Sequence, residues 1–558
     1  MTVLATFVWT SHTEAAANGS LSSQNPQVDL DENFQVELAV SAVSPAKPTA
    51  ASVKPLESAA EIPTMSSEPV PSSATSSSLS ATFLTSSTSA GLAQPSASVT
   101  GQEGTSGKTE PLDEDSQRLV LTAKELLRKY ARLTEEPLGR GDIAGLAEQC
   151  YLYRQLFELC YDATGRRRTS MDRILGDSNL YHQVEVTLQN LEYSLFPFVN
   201  ATEKYKNVAN VLQSYQDQRG LVISTGSWHF RFARHLIHVV REVLNSTLPI
   251  EVFYSGPGDL GQDQINYLRT IDNVRVVDLQ QHFDTAGPGV RGWAVKPFAM
   301  LASSFSEIIF VDADANFFQD PEVVFKDSGY VKTGALLYRD RTINVGGESN
   351  QSKYVKKLIT NPSDYAKASN RLFSLKSVHE GESGVVVLNK AKVFHVLLLI
   401  CKMNSEYFRG DTADGKKDGF WGVFHGDKET FWMAFELMKQ PYWMNAVAGG
   451  TVGFVSETDG VCGGLFHVDE HQKPLWFNGG VVINKYHAEG DKTTLQLTDY
   501  AFDTTYEKVK WAWERKDRPF CLLPRYPNEQ GKLEGKYKEA ADGIIRVWGE
   551  LLDRPITS

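Results

Sequence analysis

The pattern of apolar and polar positions divides the chain into stretches of different character. Up to residue 112, Ser, Thr, Ala, Pro and Val dominate and aromatic residues are rare. This composition buries too little apolar surface to offset the chain entropy, which predicts a disordered stalk. From 113 to 218 apolar residues recur at three- and four-residue spacing, as at Leu126, Leu156 and Leu159, which predicts a helical subdomain.

After residue 219 the period changes. Short β-branched runs bounded by Gly, Pro and Asp alternate with amphipathic helices, which indicates an α/β domain over 219–490 with a mostly parallel sheet flanked by helices. Strands are expected at 221–224, 250–254, 274–279, 308–311, 334–338, 385–388, 452–455 and 464–468, and a helix at about 293–303. Residues 491–558 are predicted to form a helical extension packed on this domain.

Charge and cysteine content narrow the possible functions. The net charge is -12 over 558 residues, and there is no Lys/Arg-rich block that could neutralise a row of phosphates, so nucleic acid is excluded as a partner. The five cysteines have no metal-type spacing, and their odd number leaves at least one unpaired. Cys150 and Cys160 could bridge locally or lie as buried thiols on helices.

The strongest chemical signal is the apolar run 308–311 followed by Asp312, Ala313 and Asp314. Residues two apart on an extended chain point to the same side, so both carboxylates converge where the strand leaves the sheet. Ligands bind at such carboxyl ends in open α/β sheets. Two adjacent carboxylates repel unless a cation lies between them, and oxygen ligands suit Mn²⁺ or Mg²⁺ carrying a diphosphate.

Two other interpretations of this motif exist. Asp312 and Asp314 could cap a turn after the strand. Haloacid-dehalogenase phosphatases also place Asp-x-Asp after an apolar strand, but their pattern continues with Thr or Val where this chain has Asn316, and it opens their domain. Both departures favour a nucleotide-diphosphate site.

A second signal lies at His467 to Pro474. A histidine at a strand end, six residues before a Lys-Pro pair, resembles the segment of glycogenin-like retaining transferases in which the histidine completes the metal site and the lysine meets the diphosphate. The resemblance implies that His467 is a metal ligand and that Lys473 is a diphosphate contact. His471 is the rival ligand.

Several longer motifs resemble the fungal Golgi α-1,3-mannosyltransferase family. They are the stretches 224–233, 292–299, 311–315, 334–341, 382–387, 426–432 and 474–479. The resemblance covers about 221–485 and implies a GT-A fold with a Rossmann-like mixed sheet, GDP-mannose as donor, a divalent metal (Mn²⁺ or Mg²⁺), and transfer with retention to a mannose-ending glycan. Asp312 and Asp314 match the metal-binding pair of the family. The resemblance implies that Asp312 also contacts the nucleotide sugar.

The donor side of the site is predicted from three residues. Thr225 and Gly226 occupy the first strand-to-helix turn, where backbone N–H groups can meet the nucleotide, although Gly226 could serve the turn alone. Lys296, one helix before the metal strand, could contact the donor or extend along the surface into solvent.

The catalytic candidates are Glu382, Asp427 and Glu429, acidic groups that could lie near the reacting carbon or bind sugar hydroxyls. For Asp427 and Glu429 the alternative is electrostatic support of a helix N-terminus. Retention could proceed through a carboxylate nucleophile such as Glu382 or Asp427, or by front-face attack in which the leaving phosphate takes the acceptor proton.

Alternative functions are a UDP-hexose transferase of the same fold and a non-catalytic glycan-binding protein. Met1–Trp9 are apolar for too few positions to span a bilayer, but a stalk ahead of a globular domain is the layout of type II Golgi enzymes. We therefore expect an N-terminal anchor beyond this chain and a location in the Golgi lumen. Sequons at Asn18, Asn200, Asn245 and Asn350 are compatible with the secretory pathway.

Overall fold

The computed structural model describes residues 113–168, 178–410, 419–457, 460–483, 485, 493–507, 509–515, 518–554 and 556, so the predicted stalk lies outside the described residues. The helical stretch predicted from 113 to 218 contains α1 Glu114–Leu133, α2 Ile143–Cys160, α3 Ser178–Leu195, α4 Pro197–Asn200 and α5 Val208–Gln213. Asp113 and Asp142 begin α1 and α2 by accepting hydrogen bonds from backbone N–H groups three residues on.

Strands and helices alternate after this subdomain. The strands are β1 Gln216–Ser224, β2 Ile250–Tyr254, β3 Val274–Asp278, β4 Phe305–Asp312, β5 Asn316–Phe317, β6 Ala335–Arg339, β7 Gly381–Asn389, β8 Trp443–Ser456, β9 Gly460–Val468, β10 Pro474–Asn478, β11 Asp499–Asp503, β12 Lys510–Arg515, β13 Arg518–Leu523 and β14 Gln530–Lys532. The helices are α6 Phe230–His238, α7 Gln262–Arg269, α8 Val295–Ala302, α9 Ser328–Thr333, α10 Asn350–Leu358, α11 Asp364–Ser369, α12 Phe394–Met403, α13 Glu406–Arg409, α14 Phe420–Val423, α15 Lys428–Leu437 and α16 Lys536–Asp553.

The strands join one sheet in the order β12-β13-β9-β8-β6-β7-β4-β1-β2-β3, with β5, β10, β11 and β14 paired at its side. The four strands at the β3 end of this order, β4, β1, β2 and β3, are parallel, since they run in the same direction. The β7 strand is antiparallel to β4 and β6, and β9 is antiparallel to β8. The α/β class and the mixed sheet flanked by helices are therefore confirmed, whereas the expectation of a mostly parallel sheet is wrong.

The C-terminal stretch differs from the sequence prediction. Instead of a helical extension, residues 499–532 supply β11 to β14, and α16 follows them. The β11 strand pairs with β8 and β13 pairs with β9, so this segment continues the central sheet. Its short strands, which pair with residues distant in sequence, carry too weak a local pattern to outweigh the helical period of α16.

A disulfide bond joins two neighbouring strands of the sheet. Cys462 on β9 is bonded to Cys521 on β13, opposite it in the strand register. Cys150 and Cys160 do not bridge each other. They are buried thiols of α2, which was the second of the two alternatives stated above. No helix among the described residues combines the length and apolar character needed to cross a membrane.

The apolar core has a layer on each face of the sheet. One layer contains the helical subdomain, α8, α12 and α15, and the other contains α6, α7 and α9. The α16 helix covers a third apolar cluster beside β8 and β9, where Trp548 stacks on Phe232 of α6. These layers hold β1, β4 and β7 rigidly, and the polar residues at the ends of these three strands form the site described next.

Candidate active site

The Asp-x-Asp motif ends the central strand β4. Residues Ile308 to Val311 are fully buried between β1 and β7, which leaves the first polar side chain, Asp312, at the carboxyl end of the strand. Asp312 lies opposite Ser224 in the register with β1. The aspartate motif and the turn after β1 therefore meet at one edge of the sheet, as the sequence predicts for a nucleotide site.

Lys296 of α8 connects three of the polar groups at this edge. Its Nζ lies 2.9 Å from Asp312 Oδ2, 3.2 Å from Ser383 Oγ and 3.6 Å from Asp427 Oδ1. The side chain is buried, so the expected alternative of a solvent-exposed lysine does not hold. Burial alone would lower the pKa of Lys296, but the carboxylates of Asp312 and Asp427 outweigh it and raise the pKa, which keeps the ammonium charged.

The two aspartates of the motif have opposite pKa shifts. Burial, aided by the nearby Asp314 and Asp427 charges, raises the pKa of Asp312 in spite of Lys296. Asp314 is also buried, but Lys485 outweighs the burial and lowers its pKa. The Lys485 Nζ lies 2.5 Å from Asp314 Oδ2. The motif is thus neutralised by one lysine at each carboxylate.

Asp427 immediately precedes α15 and is 3% exposed. Its Oδ1 faces Lys296, whereas its Oδ2 has no hydrogen-bond partner among the described residues. An unsatisfied buried carboxylate oxygen is costly, and such atoms are commonly completed by a bound ligand or ion. Asp427 therefore lies beside the aspartate motif with one oxygen available for a ligand.

Glu382 lies at the start of β7, next to Ser383. Its Oε1 accepts hydrogen bonds from the Gly384 N–H at 3.0 Å and from Asn478 Nδ2 at 3.2 Å. Burial raises the pKa of Glu382, and the neighbouring Asp340 adds to the shift. After Asn478 the chain passes to Gly480, whose N–H donates to the Asp314 carbonyl at 2.7 Å. The segment that follows β10 therefore ties Glu382 to the aspartate motif.

Glu429 occupies a supporting position. It is fully buried, and its two oxygens accept from the backbone N–H groups of Glu380 and Gly381 and from Trp432 Nε1. Burial would raise its pKa, but the interaction with His379 and the other donors lower it. Because protein donors use both oxygens, the contacts of Glu429 fix the start of β7 and give no support to the catalytic role expected from sequence.

The turn after β1 has the geometry of a close backbone approach. The Thr225 N–H donates to the Phe253 carbonyl at 2.9 Å, and a Cβ at Gly226 would lie 2.4 Å from Asp259 Oδ1. A side chain at position 226 would have to displace the Asp259 carboxylate, so the packing of this turn favours glycine. The nucleotide contact expected of Thr225 and Gly226 is compatible with this geometry and stays a prediction.

The histidines and the lysine of the second sequence motif are not brought to Asp312 and Asp314. His467 is buried, with its ring stacked on Trp476 at 4.1 Å between centroids and edge-on to Tyr338. Burial lowers its pKa to about 3, so the imidazole is neutral. Its position on β9 is fixed by pairing with Trp476 on β10. The expected metal ligand is instead packed between aromatic rings.

Lys473 and His471 lie in the exposed turn between β9 and β10. Backbone N–H groups of both residues donate to Asp469 Oδ1, which fixes the turn. Asn478, at the site, is five residues further along the chain, so this turn lies roughly 15 Å away at the rise of a strand. The diphosphate contact expected of Lys473 stays a prediction, and Lys485 is a lysine that lies against the aspartate motif.

The oxygen atoms that these side chains offer are of the kind that binds a divalent cation. Asp312, Asp314 and the unpartnered Oδ2 of Asp427 offer only carboxylate oxygens, which suit Mn²⁺ or Mg²⁺. The described residues contain no cluster of three or more His, Cys, Asp or Glu side chains arranged to hold a metal ion by themselves. A metal here would need ligands from a donor diphosphate or from water, which is common for Mg²⁺-type sites.

Sequence reasoning missed Lys485, Asn478, Ser383 and the pair Asp340–Lys428. The Lys428 Nζ forms an ion pair with Asp340 Oδ2 directly after β6, beside Glu382. A signal was present for Asn478, because it ends an apolar strand and precedes Gly479 and Gly480.

Residues 218–471 match the family model described as "Mannosyltransferase putative". This part of the chain is therefore similar to the mannosyltransferases that the model describes. The matched region contains every site residue predicted from sequence except Lys473, as well as Ser383 and Asp340. Asn478, Lys485 and the last four strands lie beyond it.

The named relatives of this chain are also mannosyltransferases. The chain is 28% identical over 233 residues to "Putative alpha-1,3-mannosyltransferase MNN14" of Candida albicans, covering 38% of this chain and 34% of that protein. It is 26% identical over 302 residues to alpha-1,3-mannosyltransferase MNT2 of Saccharomyces cerevisiae, covering 48% and 52%. It is 25% identical over 257 residues to alpha-1,2-mannosyltransferase MNN5 of the same yeast, covering 38% and 43%. The chain thus spans about a third to a half of the length of these relatives.

Solved structures with a similar arrangement are also glycosyltransferases. The glycosyltransferase GlyE of Streptococcus pneumoniae has 12% sequence identity and a TM-score of 0.26, covering 41% of this chain and 45% of that chain. Galactosyltransferase LgtC, solved with donor and acceptor sugar analogues, has 13% identity and a TM-score of 0.24, covering 37% and 69%. The similarity to mannosyltransferases rests on the sequence matches.

Proposed function

We propose that this chain is a metal-dependent, retaining α-1,3-mannosyltransferase with a GT-A fold, which moves mannose from GDP-mannose to a mannose-ending glycan. The observation that carries the proposal is the buried cluster of Asp312, Asp314, Lys296 and Asp427 at the carboxyl end of β4, inside the region matched to the mannosyltransferase family. The names of the relatives support the sugar and the α-1,3 linkage, although one relative is an α-1,2 enzyme.

In the proposed site Asp312 and Asp314 hold Mn²⁺ or Mg²⁺, which when bound offsets the negative charge of the leaving diphosphate. Lys485 offsets diphosphate charge from the other side, because its ammonium already faces Asp314. Thr225 and Gly226 present backbone to the nucleotide. Lys296 lies between Asp312 and Asp427 and fixes the two side chains relative to each other.

Asp427 is the proposed group nearest the reacting carbon, since its Oδ2 is buried and has no partner among the described residues. In a double displacement this oxygen would bond to the anomeric carbon as the bond to the diphosphate breaks, and the acceptor hydroxyl would then displace it with overall retention. The alternative nucleophile is Glu382, whose Oε1 accepts a hydrogen bond from Asn478. If Asp427→Ala and Glu382→Ala both keep the wild-type rate, only front-face attack is left.

A location in the secretory pathway is part of the proposal. The Cys462–Cys521 disulfide fits an oxidising compartment, and the sequon residues Asn245 and Asn350 are exposed. The Golgi lumen is proposed as the compartment from the resemblance to Golgi mannosyltransferases.

A donor panel tests the function. Purified protein is incubated with GDP- and UDP-sugars, with Mn²⁺, Mg²⁺ or EDTA, and with a mannoside acceptor, and both nucleoside diphosphate release and product linkage are measured. We expect metal-dependent turnover of GDP-mannose and an α-1,3-linked product. Turnover of a UDP-sugar would support the alternative transferase, and binding of glycans without turnover of any donor by folded protein would support a non-catalytic role.

A further inference from the structure

The β12–β13 hairpin at the edge of the sheet carries three aromatic side chains beyond the family-matched region. Trp511 and Trp513 are two apart on β12 and share a face, and Phe520 lies opposite Trp513 on β13. Ring centroids are 5.4 Å apart for the two tryptophans and 6.0 Å apart for Trp513 and Phe520. These three residues are called the hairpin platform, and Trp513 is 42% exposed.

The platform is attached to the loop that follows β6. Trp511 Nε1 donates to the Thr342 carbonyl at 2.9 Å. The guanidinium of Arg341 lies over the ring of Phe520 at 4.8 Å and over that of Trp513 at 5.6 Å. The platform is therefore fixed to the backbone of the site rather than projecting freely from the sheet edge.

The same arginine connects the platform to the carboxylate cluster. Arg341 Nε lies 3.3 Å from Asp340 Oδ1, and the other oxygen of Asp340 forms an ion pair with Lys428. Lys428 follows Asp427 directly in sequence, and Glu382 responds electrostatically to both Asp340 and Arg341. Contacts thus run from the exposed rings through Arg341 to the Asp340–Lys428 pair, which lies next to the two candidate nucleophiles.

This row has the chemistry of a carbohydrate subsite. Indole faces pack against the apolar C–H surface of a sugar ring, while a guanidinium supplies several hydrogen-bond donors to its hydroxyl groups. An exposed apolar patch with a polar border marks an interaction surface. The side chain of Arg341 is 23% exposed and borders the rings of Trp513 and Phe520. The continuity with the carboxylates favours the acceptor over a second protein chain as the occupant.

We propose that Trp513, Phe520 and Arg341 bind the sugar residue of the acceptor glycan that precedes the residue receiving mannose. This subsite would make the enzyme prefer acceptors longer than one sugar. The proposal rests on the proposed transferase function, and it assigns a substrate-binding role to the strands that follow the family-matched region.

Acceptor length tests this subsite. Transfer from GDP-mannose is measured to a methyl mannoside and to an α-linked mannotriose, with donor hydrolysis measured in the absence of acceptor. Trp513→Ala should raise KM for the trisaccharide about tenfold, and leave KM for the monosaccharide and donor hydrolysis unchanged. Trp513→Tyr should retain most of the wild-type value, because a stacking ring is kept. Tyr193→Ala removes an exposed aromatic ring from the helical subdomain and should change none of these quantities.

Equal KM values for the trisaccharide in wild type and Trp513→Ala would overturn the subsite. So would a similar rise in KM for both acceptors, because that would indicate a general disturbance of the site. Failure of the proposed function is distinguishable, since wild-type protein would then not turn over GDP-mannose at all. In that case calorimetric titration of wild type and Trp513→Ala with mannotriose decides, and absence of a Trp513-dependent binding heat would overturn the proposal.

Discussion

Two lysines balance the charge of the carboxylates at the end of β4. Lys296 lies between Asp312 and Asp427, and Lys485 lies against Asp314. The lysines come from α8 and from the segment after β10, so the balance depends on tertiary structure. A buried carboxylate that loses its cation is left with an uncompensated charge, which is far more costly than the loss of a surface pair.

The variant Lys296→Met should therefore lower the free energy of unfolding by roughly 3–5 kcal/mol and reduce donor turnover. Chemical denaturation followed by circular dichroism measures the first effect. Lys367→Met is the matched control, because Lys367 forms an exposed pair with Asp364 and should change stability by at most about 1 kcal/mol. Equal stability of the two variants would show that Lys296 does not compensate the carboxylates.

Single residues were predictable from the sequence where the signal is local. Asp312 and Asp314 follow an apolar strand, and this alone places them at the sheet edge. His467 and Lys473 were expected at the site from the resemblance to glycogenin-like transferases. The pairing of β9 with β10 packs His467 on Trp476 and leaves Lys473 in an exposed turn. The location of Lys485 could not be predicted, because it depends on how the chain returns to β4 after β10.

At the scale of elements, a buried ionic network holds the loop after β6 against the start of β7. Glu380 pairs with Arg371 at 2.8 Å between Oε2 and Nε, and its other oxygen pairs with Arg339. Arg371 also donates to the Asp340 carbonyl at 2.8 Å and to Thr342 Oγ1 at 3.0 Å. The network thereby positions Asp340, next to the candidate nucleophiles.

Removal of the shared carboxylate tests this network. Glu380→Ala leaves two buried guanidinium groups without their anion and should lower the free energy of unfolding by roughly 3–5 kcal/mol. Glu348→Ala removes a carboxylate that pairs with Lys356 at the surface, and should cost at most about 1 kcal/mol. Urea titrations of both variants make the comparison. A Glu380→Ala protein as stable as Glu348→Ala would mean that the network contributes no net stability.

The order of the elements could largely be read from the sequence, whereas the C-terminal strands could not. Runs such as 308–311 and 385–388 are apolar and β-branched, and both form strands. The β12–β13 hairpin has short strands separated by a charged segment, so its local pattern is weak. Pairing with β9 and the Cys462–Cys521 bond, which join residues 59 apart in sequence, fix it instead.

At the scale of the whole molecule, the helical subdomain shares an apolar interface with the α/β part of the chain. His395 of α12 packs edge-on against Phe157 of α2 at 4.9 Å between ring centroids, and burial lowers its pKa to about 3. In the unfolded chain the pKa of histidine is about 6.5. The unfolded state therefore takes up a proton that the folded state excludes, and stability falls as the pH decreases from 6.5 towards 3.

Between pH 7.5 and pH 5.0 this group should reduce the free energy of unfolding by up to about 2 kcal/mol. His395→Phe keeps an aromatic ring at the interface but has no group that titrates. Between pH 7.5 and pH 5.0 its free energy of unfolding should therefore fall by less than that of the wild type, and the difference should be up to about 2 kcal/mol. Urea unfolding at the two pH values measures the difference. His471→Phe, at an exposed position, should show the wild-type dependence. An unchanged pH dependence in His395→Phe would contradict the account of the interface.

The central claim is that the aspartate motif at the end of β4 serves mannose transfer from GDP-mannose. The most direct test measures transfer to an α-mannoside by wild type and Asp314→Asn, each with Mn²⁺ and with EDTA. Asp314→Asn preserves the volume of the side chain and removes its charge. We expect transfer by wild type only with metal, and a loss of at least about a hundredfold in the variant, as when a group that stabilises the transition state is removed. Equal transfer by both proteins, or transfer in EDTA, would contradict the account.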